Sequence, residues 1–220
     1  MIVVIDGPAG SGKSSTAKAV AEKLDIQYLD SGALYRAATW IYNKSDQNRD
    51  KFFDTLNEVN ISFKYSDAFF NVFVDGDDIS SEIRSQDVNN SVSTVAAMPE
   101  VRVFINKLMH HAVSQNHYIA DGRDLGTAVF PEAQLKFFMI ADLEVRAQRR
   151  LKEMGETDVS LDQVRENIAS RDNIDSNRDS DPLKKAPDAI EIDTTSYSFE
   201  EQVAFICEQI RPHLIATTKQ

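Results

Sequence analysis

The first residues that could do chemistry form a glycine-rich stretch near the start of the sequence. It reads Gly7-Pro8-Ala9-Gly10-Ser11-Gly12-Lys13-Ser14. Every defined position of the pattern G-x-x-x-x-G-K-[ST] is matched, and the predicted nucleotide-binding residues extend from Gly7 to Ser15. In this pattern backbone N–H groups wrap a phosphate, the lysine reaches the β- and γ-phosphates, and the serine hydroxyl is a Mg²⁺ ligand. The stretch therefore predicts a site for a nucleoside triphosphate, with Mg²⁺ bound at Ser14.

Two further segments place arginine and acidic side chains directly after predicted buried strands. The first, Asp30-Ser31-Gly32-Ala33-Leu34-Tyr35-Arg36, is a turn leading into a helix, where Arg36 could bind the phosphate of an acceptor. Ser31 could instead serve only as the helix cap. The second, Asp121-Gly122-Arg123-Asp124-Leu125-Gly126-Thr127, offers the planar fork of Arg123 to phosphate oxygens. The alternative interpretation of this second segment is a plain turn that holds a structural Arg–Asp pair.

A fourth polar segment, Arg171-Asp172-Asn173-Ile174-Asp175-Ser176-Asn177-Arg178, ends a predicted helix that begins with a capping box, Ser160-x-x-Gln163. An exposed, arginine-rich segment between a helix and the last strand is suited to a lid. The arginines of such a lid reach the phosphates only when it closes. For this segment alone, an ordinary charged surface is the alternative.

The elements between these segments predict the fold that positions them. Five apolar runs read as buried strands: residues 2–5, 26–29, 118–120, 135–140 and 189–192. Helical patterns separate them, for example over Ser14 to Leu24. Alternation at 61–65 and 71–75 predicts an antiparallel hairpin. We therefore predict an α/β fold: a doubly wound, parallel five-stranded P-loop sheet with a small antiparallel β substrate-binding insertion and a helical lid.

The predicted domain organisation is a single domain over residues 1–220. Within it, the insertion is placed at about residues 60–100, and helical segments are expected around 84–96 and 99–115. The lid is placed at about residues 155–182. In an open α/β sheet, ligands bind at the carboxyl ends of the strands, which is where the glycine-rich loop and the first two arginine segments begin.

The composition limits the classes of function. The chain has 220 residues, 42% of them hydrophobic, which suits one ordinary domain with a sizeable core. Its formal net charge of -11 disfavours a nucleic-acid binder, although a local arginine cluster can still bind a small anion. The single cysteine, Cys207, allows no intrachain disulfide, and no stretch reads as a signal peptide or a membrane span. We expect a soluble, cytoplasmic monomer without nucleic-acid or membrane partners.

Read in order, these motifs resemble those of the bacterial cytidylate kinases. The matching stretches include L-D-S-G-A-x-Y-R, S-x-V-A-A-x-P-x-V-R, A-D-G-R-D-x-G-T-x-V-F-P and the R-D-x-x-D-x-x-R lid. These four stretches occupy Leu29–Arg36, Ser93–Arg102, Ala120–Pro131 and Arg171–Arg178. The glycine-rich loop at Gly7–Ser15 and a stretch at Val74–Arg84 also match, so the resemblance extends over almost the whole chain. The D-G-R-D-x-G-T block, together with the β insertion, is far more specific than the glycine-rich loop.

The resemblance implies that the chain phosphorylates CMP and dCMP with ATP and Mg²⁺. It implies that Ser93, Arg102 and Asp124 read the cytosine edge, and that Arg36 and Arg123 hold the acceptor's phosphate. The complete set of predicted substrate-binding residues is Ser31, Tyr35, Arg36, Ser93, Arg102, Arg123, Asp124, Asp175 and Arg178. The predicted catalytic residues are Lys13, Arg123, Arg171 and Arg178, with Arg171 steadying the transferring phosphoryl group and Asp175 near the ribose.

Three other classes of protein remain as alternatives. Asn43-Lys44-Ser45-Asp46 matches the guanine-reading N-K-x-D motif of GTPases, but no glycine has an aspartate three residues before it, as D-x-x-G requires. Kinases of uridylate, adenylate or shikimate share the glycine-rich loop and an arginine lid, yet have no need of the D-G-R-D-x-G-T block. A regulatory module without catalysis could dispense with Arg36, Arg123 and the lid arginines.

Overall fold

The computed structural model describes residues 1–114, 116–155 and 158–217. Residue 115 of the helical segment predicted at 99–115, residues 156–157 of the predicted lid, and residues 218–220 lie outside the described residues. The strands are β1 (Ile2–Asp6), β2 (Gln27–Asp30), β3 (Ile61–Ser66), β4 (Phe69–Val74), β5 (Asp77–Asp78), β6 (Tyr118–Gly122), β7 (Leu135–Ile140) and β8 (Ile190–Asp193). The helices are α1 (Lys13–Leu24), α2 (Ser31–Lys44), α3 (Arg49–Glu58), α4 (Gln86–Ala96), α5 (Pro99–Ala112), α6 (Leu143–Met154), α7 (Leu161–Asn177) and α8 (Phe199–Thr217).

The main sheet has five strands in the order β2-β6-β1-β7-β8, and the pairings of β1 with β6, β1 with β7, and β7 with β8 are parallel. Strand β1 lies in the middle, which explains why Val3, Val4 and Ile5 are fully buried. Asp6 aligns with Gly122 of β6 and with Phe138 of β7. The glycine-rich loop and the Asp121–Thr127 segment therefore begin at the same edge of the sheet. The predicted α/β fold is confirmed.

The chain divides into two compact units, one of residues 1–27 and 116–220 and the other of residues 28–115. The second unit contains the antiparallel sheet β3-β4-β5, which confirms the predicted hairpin and adds a short third strand. Alternate residues of β4 are buried, and Phe70 packs against the rings of Phe63 and Tyr28. In the same unit, α2 packs mainly against α4, and also against α3 and α5.

Three local structures test the sequence predictions: one contradicts them, one extends them and one confirms them. The turn expected at Asp30–Gly32 is wrong, because α2 already begins at Ser31. Asp30 is its N-cap and accepts from the Ala33 N–H, so a capping role for Ser31 is also wrong. The segment after β6 is more than a plain turn, since Leu125–Val129 forms a π-helical turn. The capping box of Ser160 and Gln163 is confirmed at the start of α7.

No helix among residues 1–114, 116–155 and 158–217 is both long enough and apolar enough to cross a bilayer.

Candidate active site

The glycine-rich loop joins the buried strand β1 to helix α1 in a conformation that depends on its glycines. A Cβ added to Gly7 would lie 2.1 Å from the carbonyl oxygen of Met139, a distance that no side chain allows. Gly12 is the N-cap of α1 with φ of 89°, in the left-handed region that favours glycine. The loop therefore ends at a helix N-terminus, whose free N–H groups and dipole favour an anion.

Lys13 is a buried cation within this loop. The residue is only 5% exposed, and its Nζ donates to the Pro8 carbonyl at 3.0 Å. Burial, and then the nearby charge of Arg123, lower the pKa of Lys13 to about 7. Phosphate oxygens beside Nζ would favour the charged form again. The ammonium group is thus placed where binding an anion relieves an electrostatic cost.

Ser14 and Asp121 form a hydroxyl–carboxylate pair at the end of β6. The Ser14 hydroxyl donates to Oδ2 of Asp121 at 2.6 Å. The described residues contain no cluster of three or more His, Cys, Asp or Glu side chains that could hold a metal by themselves. Mg²⁺ needs no such cluster, because it is usually held by one or two protein oxygens together with phosphates and waters. The chemistry of the Ser14–Asp121 pair fits that ion.

Four charged side chains from two segments form an alternating network in the first unit. Nε of Arg123 donates to Oδ2 of Asp175 at 2.8 Å, and Nη2 of Arg178 donates to Oδ1 of Asp124 at 2.6 Å. Asp175 also lies 3.7 Å from Nη1 of Arg178, which connects the two pairs. All four side chains are largely buried, so their mutual pairing offsets the cost of removing them from water.

Arg171 adds a further positive charge to the same unit. Its Nε is buried and, among the described residues, has no hydrogen-bond partner. Burial, followed by the charge of Arg123, lowers the pKa of Arg171, and Arg150 on α6 acts in the same direction. Lys13, Arg123 and Arg171 therefore concentrate positive charge, with Asp175 as a partial counter-charge. Such a cluster can bind a polyphosphate and stabilise charge on a phosphoryl group in transit.

Asp6, at the end of β1, fixes the backbone that carries Arg123 and Asp124. Its two carboxylate oxygens accept the N–H groups of Leu125 at 2.9 Å and Gly126 at 2.7 Å. Burial outweighs these hydrogen bonds and raises the pKa of Asp6 to about 6. Asp6 therefore orients the predicted phosphate and base-reading segment without belonging to it.

The second unit brings together another set of the predicted substrate residues. Nη1 of Arg36 donates to Oδ1 of Asn89 on α4 at 2.6 Å. The guanidinium of Arg102 lies 5.5 Å from the centre of the Tyr35 ring, and its Nη1 donates to the Ala96 carbonyl at 3.3 Å. Ser31 is buried at the start of α2, and Ser93 is half-buried on α4. The arginine–aromatic contact and the hydroxyl groups are suited to a planar polar ring and a phosphate.

Comparison with known proteins assigns the chain to a family. The family model described as cytidylate kinase matches residues 3–212. The chain belongs to the cytidylate kinase family. A cytidylate kinase of Clostridium tetani is 42% identical over 220 residues, covering 98% of this chain and 96% of that relative. One of Clostridioides difficile is 44% identical over 215 residues, covering 96% and 98%. The sequence resemblance to the cytidylate kinases is thereby confirmed.

Two solved structures share the fold at low sequence identity. An uncharacterised protein from Eubacterium ventriosum has a TM-score of 0.56 at 12% identity, with 96% of this chain and 98% of that chain covered. The protein TT1252 from Thermus thermophilus has a TM-score of 0.50 at 15% identity, with 97% of both chains covered. At these identities the likeness shows the fold alone. The substrate assignment for this cytidylate kinase family member depends on the sequence relatives.

Four residues that hold predicted site residues in place within their own units were not predicted from the sequence. Asp121 and Asp172 lay inside motifs but were given no role, whereas Asp6 and Asn89 were not singled out. An acidic residue that ends a fully apolar strand was the available signal for Asp6 and Asp121. Nothing in the sequence indicated that Asn89 would bind Arg36, because the two lie 53 residues apart and meet only through packing of α2 on α4.

Proposed function

We propose that this chain transfers the γ-phosphoryl group of ATP to CMP and dCMP, giving CDP and dCDP. The observation that carries the proposal is the concentration of Lys13, Arg123 and Arg171 around the phosphate loop in a member of the cytidylate kinase family. Transfer to a nucleoside monophosphate needs little covalent help from a protein. It needs alignment of the two phosphates and neutralisation of their charge.

In the proposed reaction an oxygen of the CMP phosphate attacks the γ-phosphorus of ATP in line, the bond from that phosphorus to the β,γ-bridging oxygen breaks, and ADP leaves. A phosphate monoester has a second pKa near 6, so at neutral pH it is mostly a dianion with an unprotonated nucleophile. The reaction therefore requires no strong general base. Lys13 and Arg171 would bind the transferring phosphoryl group, while Arg123 and Arg36 would hold the acceptor's phosphate. Lid arginines that close over the nucleotides would also exclude water and limit ATP hydrolysis.

The proposal includes Mg²⁺ held by Ser14 and Asp121, where it would neutralise the β- and γ-phosphate oxygens. We expect Asp121→Asn to raise the Mg²⁺ concentration for half-maximal rate by about 10- to 100-fold, because the amide offers a weaker oxygen ligand than the carboxylate. A magnesium titration at saturating nucleotides measures this. Asp162→Asn, a change at an exposed carboxylate on α7, is the matched control. An unchanged magnesium requirement in Asp121→Asn would remove Asp121 from the proposed metal site.

Base reading is proposed for Ser93 and Arg102 of the second unit and for Asp124 of the first. Arg102 supplies charge for the carbonyl of cytosine, Asp124 accepts from its amino group, and Ser93 adds a hydroxyl. The remaining proposed substrate contacts are Ser31, Tyr35, Asp175 and Arg178. Residues 60–100 would form the monophosphate-binding subdomain and residues 155–182 the lid. The chain would act on free nucleotides as a cytoplasmic monomer.

We expect Arg102→Ala to raise KM for CMP by about 10- to 100-fold with a smaller change in kcat, because the lost contact is made to the ground-state base. The residue is 2% exposed, so unfolding must be monitored alongside. Arg102→Lys keeps the charge but loses the planar fork above the Tyr35 ring, and it should give an intermediate KM. A wild-type KM for CMP in the folded Arg102→Ala protein would exclude Arg102 from base reading.

The proposed function is tested by measuring ADP release with ATP and Mg²⁺ against CMP, dCMP, UMP, AMP and GMP in separate reactions. We expect kcat/KM to be highest for CMP and dCMP. A preference for another monophosphate would keep the phosphotransferase but remove cytosine reading from Ser93, Arg102 and Asp124. Absence of turnover with every nucleotide would contradict the proposal as a whole.

A further inference from the structure

Ala9, in the middle of the phosphate loop, is held through its side chain, its N–H and its carbonyl by two helices of the same unit. Its side chain is buried in an apolar cluster that includes Ala147 of α6 and Ile168 of α7. Its N–H donates to Oδ1 of Asp172 at 3.0 Å. Its carbonyl accepts from Nη1 of Arg146 at 3.0 Å.

Arg146 and Asp172 also pair with each other, so their side chains and the Ala9 backbone form a closed ring of hydrogen bonds. Nη1 of Arg146 donates to Oδ2 of Asp172, and Nε of Arg146 donates to the Ala141 carbonyl at 2.9 Å. The Arg146 and Asp172 side chains are 10% and 20% exposed, so water competes little for these hydrogen bonds. The Cβ of Arg146 also lies 3.1 Å from the position that a Cβ on Gly10 would occupy, so α6 packs closely against the loop there.

Because the peptide bond is planar, the hydrogen bonds to Ala9 also fix the directions of the neighbouring backbone groups in the loop. In a trans peptide the C=O and the following N–H point in opposite directions, and the described residues contain no cis peptide bond. Since the Ala9 N–H points to Asp172, the Pro8 carbonyl points the other way, where it accepts from Nζ of Lys13. Since the Ala9 carbonyl points to Arg146, the Gly10 N–H is directed away from Arg146.

We infer that Arg146 and Asp172 are positioning residues for phosphoryl transfer. Together they set the two peptide planes that flank Ala9, and thereby the direction of the Gly10 N–H and the place of the Lys13 amine. Asp172 directly follows Arg171 on α7, so the same contact fixes the helix that carries Arg171 against the phosphate loop. Neither residue needs to touch a nucleotide for this role. The inference rests on the proposal that the loop binds ATP.

The test compares Asp172→Ala and Asp172→Asn with Glu166→Gln, which changes an exposed carboxylate on the same helix. The asparagine keeps an acceptor for the Ala9 N–H but loses the ion pair with Arg146. We expect Asp172→Ala to raise KM for ATP and lower kcat, each by about 10- to 100-fold, because misdirected loop groups misplace the γ-phosphate. KM for CMP should stay within about twofold, since ground-state binding of the acceptor is left intact. Asp172→Asn should be intermediate and Glu166→Gln should match the wild type.

A second readout separates positioning from stability. The amide resonance of Gly10 in a ¹H–¹⁵N spectrum should move when ADP is added to the wild type, and should move much less in Asp172→Asn. A purely structural pair would instead lower the melting temperature and leave the Gly10 response, kcat and KM for ATP unchanged below it. That pattern would overturn the inference. If Asp172→Ala does not fold, the same measurements on Asp172→Asn decide between positioning and a purely structural role. If the wild type binds ADP but does not turn over CMP, the proposed acceptor is wrong and the Gly10 response still tests the inference. If the wild type does not bind ADP, the proposed function and the inference are both overturned.

Discussion

Replacing Lys13 with methionine is expected to lower kcat with CMP by on the order of 10³-fold, while the ligand-free protein remains as stable as the wild type or becomes more stable. The two effects have one cause. The Lys13 ammonium is buried beside Arg123, where we propose that it binds a phosphate and where it costs free energy when no phosphate is bound. Methionine fills a similar volume and carries no charge. Coupled kinetics and thermal unfolding of the ligand-free proteins measure the two quantities.

The pH dependence of stability should report the same lysine. Its pKa is 10.5 in the unfolded chain and about 7 in the folded protein, so between these values the unfolded state binds more protons. The wild type should therefore gain stability from Lys13 as pH rises from about 7 towards 10.5, and the cost is fully present below pH 7. Lys13→Met should lack this gain, whereas Lys23→Met, at an exposed position of the same helix, should keep it. A Lys13→Met protein with near-normal kcat, or clearly destabilised at pH 7, would contradict this role.

Replacing Arg123 with alanine is the substitution with the second largest expected effect, a loss of about 10²- to 10³-fold in kcat. The loss has two origins: a guanidinium disappears from the proposed phosphate site, and the buried Asp175 loses its 2.8 Å partner. Removing one member of a buried pair costs about 3 kcal/mol of stability. Reduced stability and reduced turnover must therefore be separated.

The double variant Arg123→Ala with Asp175→Asn provides that separation. It removes the uncompensated carboxylate, so we expect unfolding experiments to show recovered stability. Turnover should remain well below that of Asp175→Asn alone, because neither change restores a cation at the proposed phosphate site and the single variant accounts for the lost Asp175 contact. Arg123→Lys should retain more activity than Arg123→Ala, since it keeps the charge but lacks the fork. If the double variant regained wild-type kcat, Arg123 would act only as the structural partner of Asp175.

Much of the structure around the glycine-rich loop was predictable from the sequence, because its parts are adjacent in the chain. The phosphate loop needs a buried strand, glycines at fixed positions and a helix start, and Ile2 to Leu24 supplies all three in one continuous stretch. The hairpin was predictable for a similar reason, since alternation in 61–65 and 71–75 reports a sheet with one buried face.

The partners within the site were not predictable, because they come from distant parts of the chain. Arg123 and Asp175 are 52 positions apart, and Arg178 and Asp124 are 54 apart. The sequence motifs are equally consistent with each of these side chains binding a ligand separately. The side chains meet as pairs only because α7 packs within the first unit. The role of Asp172 depends on a further long-range contact, with Ala9 163 positions away.

Local competition between neighbouring residues explains the errors at element boundaries. Both Asp30 and Ser31 can cap a helix, and the carboxylate of Asp30 is the one that reaches the Ala33 N–H. Helix α3 was not predicted at all. Only Phe52 and Leu56 of its ten residues are buried, so its apolar face is too narrow to give a clear helical period.

The most direct test of the central claim is a competition in a single tube. The wild-type protein receives ATP labelled in the γ-phosphate, Mg²⁺ and equal concentrations of CMP, dCMP, UMP, AMP and GMP, and the labelled products are separated by chromatography. At early times the proposed function predicts label mainly in CDP and dCDP, and loss of that preference in Arg102→Ala. Label that accumulates first in UDP, ADP or GDP, or a distribution even across all five, would contradict the assignment of this chain as a kinase of cytosine nucleotides.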